Sequence, residues 1–226
     1  MPTVIITGAA GGLGQETVSF FLGKGYHVIA IVRGQQDRLP AHERLEVESL
    51  DLRDEKAVAD FVSRTTARTT VQAALLLAGG FAPGALENTG MEDIRRQIAI
   101  NFETAYPLAR LLFSHFLQQD YGRLILVGSR PALQPAAGKD LIAYTLSKSL
   151  LSELAALLNA EAGGKNVTAS VIVPSTIDTP VNRKSMPDAD FGKWVSPGQI
   201  AAAMHFICSE SGAPLRGAVL KLYGES

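Results

Sequence analysis

At 226 residues, 46% hydrophobic and 19% charged, the chain can bury a sizeable core and falls in the range of one large globular domain or two small ones. A formal charge of -1 and an isoelectric point near 6.4 offer neither the basic footprint that nucleic acid requires nor a polybasic run for an anionic membrane surface. The single cysteine, Cys208, excludes an internal disulfide and fits a reducing compartment, and the histidines (His27, His42, His115, His205) show no paired metal-ligand spacing, so no metal is expected.

The N-terminus runs straight into TVIITGAAGG with no cationic leader, and the apolar stretches AALLLAGG and IAAAMHFIC are too short to span a bilayer. A cytoplasmic protein without a membrane partner is the expectation. Strand-like runs then alternate with helical ones: a strand over Thr3 to Thr7, a helix from Gly12, strands over His27 to Val32 and Leu45 to Glu48, a helix from Asp54, a strand over Val71 to Leu77. A long helix is predicted from Met91 to Gln119, followed by a strand over Arg123 to Val127, a helix over Leu141 to Ala162, a strand over Val167 to Val173, a helix from Pro197 and a strand over Ala218 to Leu222. Between them, TPVNRKSMPDADFGKW (179–194) shows neither helical nor alternating period and reads as a long surface loop, of the kind that serves as a lid. The alternation predicts a single doubly wound α/β domain over 1–226, Rossmann-type, with a parallel sheet covered on both faces. VIIT, LILV and VIV are apolar throughout, as strands buried on both sides require.

The loop TGAAGGLG (Thr7 to Gly14) joins the first strand to the first helix, where glycine lets the chain turn sharply and a pyrophosphate approach the backbone and helix N-terminus. Steric turning alone also uses glycine, but the position at the first strand-helix junction favours a dinucleotide site. The end of the second strand carries Arg33 after Val32, and an arginine there accommodates the 2′-phosphate of NADP(H) where an acid would select NAD(H). Arg33 is otherwise a solvated strand-end charge. Asp51 and Leu52 follow the third strand and either line the adenine or, for Asp51, cap the next helix.

YTLSK places Tyr144 and Lys148 one turn apart on one helix face. An ammonium beside a phenol favours the phenolate and draws the tyrosine toward the working pH, suiting it to proton transfer. Such pairs also arise by chance on solvated helices. Ser129 follows the fifth strand, at the sheet edge where open α/β folds bind ligands. Asn101 sits in an otherwise apolar helical stretch, either as surface polarity or as a member of the same set.

With Thr7, Gly8, Gly12, Gly14, Asp51, AGG at 78 to 80, Asn101, Ser129, Tyr144, Lys148 and PSTIDT at 174 to 179, the chain resembles the short-chain dehydrogenase/reductase family across essentially its whole length. The resemblance implies an NAD(P)-dependent oxidoreductase. Tyr144 is then the proton donor, Lys148 lowers its pKa and holds the nicotinamide ribose, Ser129 orients the substrate carbonyl and Asn101 supports a water relay. The cofactor would be held by Thr7, Gly8, Gly12, Leu13, Gly14, Arg33, Asp51, Leu52, Ala78, Gly79, Gly80, Lys148, Pro174, Ile177 and Thr179, with NADP(H) preferred and NAD(H) the alternative.

Within the family, the run from Ile177 to Trp194 and AGGFAPG at 78 to 84 are most similar to the quinonoid dihydropteridine reductase branch. That implies a planar small-molecule substrate bounded by Phe81, Ser129, Tyr144, Asn182, Met186 and Trp194, under a segment over about 179–196. An ordinary ketone or aldehyde, and a non-catalytic NADP(H) sensor, are the other readings. In a further alternative, Trp194 plugs the core while Arg183 and Lys184 pair with Asp188 and Asp190. Val32-Arg33 departs from that branch's usual acid, Ser129 from its usual lack of a serine, Leu77 from the family's Asn-Ala-Gly and Ser175 from its usual glycine. Apolar residues on more than one face of the 91–119 and 141–162 helices, such as Leu150, Leu151, Leu154 and Leu157, imply with the resemblance a homodimer or homotetramer.

Overall fold

The computed structural model describes residues 1–34 and 39–225. In chain order the elements are β1 (Thr3–Thr7), α1 (Gly12–Gly23), β2 (His27–Val32), β3 (Leu45–Ser49), α2 (Glu55–Arg68), β4 (Val71–Leu76), α3 (Met91–Ile98), a π-turn (Ala99–Glu103), α4 (Tyr106–Gln119), β5 (Gly122–Val127), α5 (Arg130–Leu133), α6 (Ile142–Ala162), β6 (Val167–Pro174), α7 (Pro180–Ser185), α8 (Pro197–Cys208) and β7 (Val219–Leu222). All the strands of the described residues lie in one parallel sheet, ordered β3-β2-β1-β4-β5-β6-β7. This is the doubly wound sheet the sequence predicts. The chain order reverses between β1 and β4, which opens a crevice at the carboxyl ends of those two strands.

The unbroken apolar runs are explained by the two faces. Along β1, Ile5 packs with α2, α4 and α6 through Phe61, Leu112 and Leu151, while Val4 and Ile6 face α1 and α8 through Phe21, Ile200 and Met204. Each such side chain contributes about 1.5–3 kcal/mol by leaving water. Packing is close enough that Gly122 has no room for a side chain, because a Cβ there would collide with the Phe116 ring. No helix of the described residues is long and apolar enough to cross a membrane.

Two expectations fail locally. The helix predicted over Met91 to Gln119 is broken: α3 ends at Ile98, the π-turn inserts an extra residue into the ladder, and α4 starts at Tyr106. Pro107 has no N–H to give to the Glu103 carbonyl and its ring crowds that group, so one continuous α-helix cannot pass this point. The 179–194 segment is not irregular throughout. Thr179 caps α7 by accepting from the Asn182 N–H, Pro180 occupies the first helical position, and Asp190 caps a single 3-10 turn over Phe191–Lys193.

Candidate active site

A cleft of about 590 Å³ opens where β1, β2, β3 and β4 end, within the range of small-ligand sites of about 300–1,000 Å³. Its floor is backbone. Gly8 turns with φ +63, and a Cβ there would stand 2.9 Å from the Ala78 backbone, while a Cβ on Gly14 would collide with the Gly8 carbonyl. The loop therefore lies flat against the β4 exit and exposes α1 end-on. α1 has Gly11 at its cap with no capping side chain and no acid in its first turn, so its leading N–H groups and positive dipole end remain available to an anion. α2 contrasts with it: the Asp54 carboxylate accepts from the Lys56 and Ala57 N–H groups. These features fit the pyrophosphate of a dinucleotide.

Gly8, Gly12, Leu13, Gly14, Arg33, Asp51, Leu52, Ala78 and Gly79 all line the cleft, joined by Ala10 and Gly11 of the same loop and by Arg53, Ala99, Ile100 and Thr104, which sequence reasoning missed. Asp51 is not the cap of α2; its carboxylate accepts from the Arg53 N–H at 3.0 Å and lies 3.6 Å from that guanidinium. Arg33 and Arg53 thus stand with one aspartate at the same end, leaving an excess positive charge among these three side chains. Thr7 lies outside the lining, fully buried, its hydroxyl accepting from the Ala78 N–H at 3.1 Å and so tying β1 to the β4 exit. Gly80, Pro174, Ile177 and Thr179 also lie outside it, although a Cβ on Gly12 would meet the Thr179 methyl at 2.9 Å.

The structure brings Asn101, Ser129, Tyr144 and Lys148 together beside this cleft. Gly79 is the junction: it lines the cleft, and a Cβ there would be 2.6 Å from Asn101 Oδ1 and 3.3 Å from Lys148 Nζ. Asn101 is fully buried in the π-turn, which rules out surface polarity. Lys148, also buried, donates to the Val127 carbonyl at 2.8 Å, and burial lowers its pKa to about 8. Tyr144 departs from the expectation. Burial raises the phenol pKa, opposed by a hydrogen bond with the neighbouring Ser129 hydroxyl. The Ser129 oxygen is buried and faces the Tyr144 phenol.

Among the residues expected to bound the substrate, Phe81 is 62% exposed and meets the Tyr144 ring edge-on at 5.1 Å. Trp194 does not plug the core; it is partly exposed and packs on Phe191 at 4.8 Å. Arg183 pairs with Asp178 at 2.6 and 2.8 Å and lies over Phe191, and Lys193, not Lys184, pairs with Asp190. Pairing with Asp178 follows from α7, whose first turn brings Arg183 back over the residue before its cap. Asn182 donates to the Ile177 carbonyl at 2.8 Å, and Met186 is exposed.

A glycine-floored cleft at the switch point of a doubly wound sheet, with an uncapped helix aimed into it, belongs to the class of α/β proteins that bind dinucleotides. The model of the short chain dehydrogenase family matches residues 2–190, and the chain belongs to that family of NAD(P)-dependent oxidoreductases. Among curated relatives, the dihydropteridine reductase of Dictyostelium discoideum is 26% identical over 227 residues, covering 99% of this chain and 95% of that one. The 2,3-dihydro-2,3-dihydroxybenzoate dehydrogenase of Escherichia coli (strain K12) is 28% identical over 227 residues, covering 92% and 89%. The solved structure of ElxO with NADP bound superposes with a TM-score of 0.90 at 20% identity, covering 99% of this chain and 97% of that one, and shows the shared fold.

Proposed function

We propose that this protein is a reductase that takes NADP(H), with NAD(H) the alternative, and reduces a small planar substrate of the quinonoid dihydropterin kind. The observation that carries this reading is the exposed Phe81 ring set edge-on to Tyr144, which offers a flat apolar wall to a ring held against the phenol. The likeness of Ile177 to Trp194 to the dihydropteridine reductase branch, and the curated relative of that name, support it.

The loop from Gly8 to Gly14 and the N-terminus of α1 hold the pyrophosphate, Arg33 and Arg53 bind the 2′-phosphate, and Asp51 and Leu52 flank the adenine. The bound reduced nicotinamide supplies a hydride. Tyr144 supplies the proton from its phenol oxygen, so two electrons and two hydrogens reach the substrate. Its raised pKa keeps that proton in place until the substrate atom becomes basic, which suits a donor. Lys148, fixed on Val127 beside Gly79, orients the cofactor ribose, and Asn101 anchors the segment that faces it.

A second reading rests on Ser129. A buried hydroxyl beside the proton donor is placed to donate to a carbonyl oxygen, which suits a ketone or aldehyde. The 179–196 segment is proposed to cover the substrate, in one domain spanning 1–226. Exposed Leu146, Leu150 and Leu157 on α6 support a homo-oligomer, to be checked by light scattering. The deciding experiment follows reduced-nicotinamide absorbance with NADPH and NADH against quinonoid dihydropterin and a panel of ketones. Fast pterin-dependent oxidation is expected; turnover of ketones alone would overturn the pterin reading in favour of the second.

A further inference from the structure

Three buried polar side chains meet where α3, the π-turn and α6 pack: Gln97, 3% exposed, and Asn101 and Ser147, both 0% exposed. None of them lines the cleft. The Asn101 carboxamide closes a two-point pairing with one backbone residue, Oδ1 accepting from the Gly80 N–H at 2.9 Å and Nδ2 donating to the Gly80 carbonyl at 3.0 Å. Two further acceptors face the same nitrogen, Ser147 Oγ at 3.0 Å and Gln97 Oε1 at 3.2 Å. The Ser147 proton is committed to the Tyr144 carbonyl at 2.8 Å, so toward Asn101 the hydroxyl presents a lone pair. A carboxamide has two N–H groups. With one given to Gly80, a single N–H is left for two acceptors.

A carboxamide turned end for end has almost the same shape, so packing alone does not choose its orientation. Chemistry does. The turned amide would set N–H against the Gly80 N–H, and its oxygen against three acceptors, the Gly80 carbonyl, Ser147 Oγ and Gln97 Oε1. Resting on the reading of Asn101, Tyr144 and Lys148 given above, we propose that Ser147 and Gln97 are positioning residues that share the second Asn101 N–H. They thereby hold Oδ1 toward Gly79 and Lys148. Either acceptor is enough to hold the orientation. Losing both leaves one buried N–H unpaired and the amide held through Gly80 alone, which loosens the Gly79-Gly80 backbone and the lysine beside it.

The experiment compares kcat, KM, cofactor Kd and Tm of the full chain with Ser147→Ala, Gln97→Met, the double variant, and Asn101→Ala. Each single variant is expected to lower kcat by less than about fivefold. The double variant is expected to lower it by about 100-fold, well beyond the product of the singles, with KM and cofactor Kd within about threefold of the parent. Ser147→Thr in the Gln97→Met background restores an acceptor and is expected to recover most of the rate, which also guards against a double variant that folds poorly. The inference is overturned by a double variant equal to the product of its singles, or by a kcat that falls only in step with Kd and Tm. If Asn101→Ala itself keeps the parental kcat, the underlying reading fails and this inference with it; impaired Asn101→Ala beside an unimpaired double variant sinks the inference alone.

Discussion

The two walls of the candidate site are made of different material. On the cofactor side the contact surface is main chain: the Gly8 carbonyl leaves no room for a Cβ on Gly14, Gly8 packs on Ala78, and α1 presents bare N–H groups. On the side proposed for the substrate it is side chain, and the segment from Ile177 to Trp194 is knit by its own contacts, with Asn182 bonded to Ile177, Arg183 to Asp178 and over Phe191, and Phe191 against Trp194. A surface made of main chain tolerates almost no change, because every substitution adds atoms where none fit. A self-contained surface segment can be rewritten without disturbing the sheet, so one scaffold can keep its cofactor and change its substrate.

If the two walls are separable, Tyr144 at their seam gives the largest effect. Tyr144→Phe is expected to lower kcat by about 10²–10⁴-fold while cofactor Kd stays within about twofold; a parallel loss of cofactor binding, read by fluorescence titration, would break the separation. Gly14→Ala is the complementary break, expected to abolish cofactor binding and to destabilise by at least about 2 kcal/mol in urea unfolding, since the clash is with backbone. Lys148→Met is expected to remove activity yet stabilise the fold by about 2 kcal/mol at pH 7, because the buried ammonium is costly. The sign follows from the lowered pKa. Between about 8 and 10.5 the unfolded chain holds a proton on this lysine that the folded chain has released, so parental stability rises with pH relative to that of the variant across that window. Arg33→Ala sharpens the cofactor wall, with NADPH affinity down about tenfold and NADH affinity unchanged. Phe81→Ala is the smallest, a rise in substrate KM of about three- to tenfold with cofactor Kd untouched.

The same division decides what was legible in the sequence. Strands buried on both faces must be apolar throughout, and a turn with φ +63 against a neighbouring backbone must be glycine, so VIIT, LILV and the Gly8 to Gly14 loop announce themselves. Tyr144 and Lys148 share a helix face by spacing alone. What escaped depends on partners distant in the chain or on small changes of pitch. That Lys148 is bonded to the Val127 carbonyl follows from how α6 meets β5. Asp178, rather than Asp188 or Asp190, takes Arg183 only because Thr179 starts a helix between them; the Thr-Pro pair was the visible sign. Arg53 had a signal too, standing two residues past Asp51 at the carboxyl edge of the sheet.

The π-turn places one extra residue ahead of Pro107, and that residue sets the offset between α3 and α4. Removing any single codon between Ala99 and Glu103 would take that residue away while Pro107 still bars a regular ladder, so α4, with Leu108, Leu112 and Phe116 in the core, would have to shift to close the gap. Point changes here have local effects, whereas a length change is read by the whole of α4, so across descendants of this gene the spacing from Asn101 to Pro107 should be harder to alter than the residues that fill it.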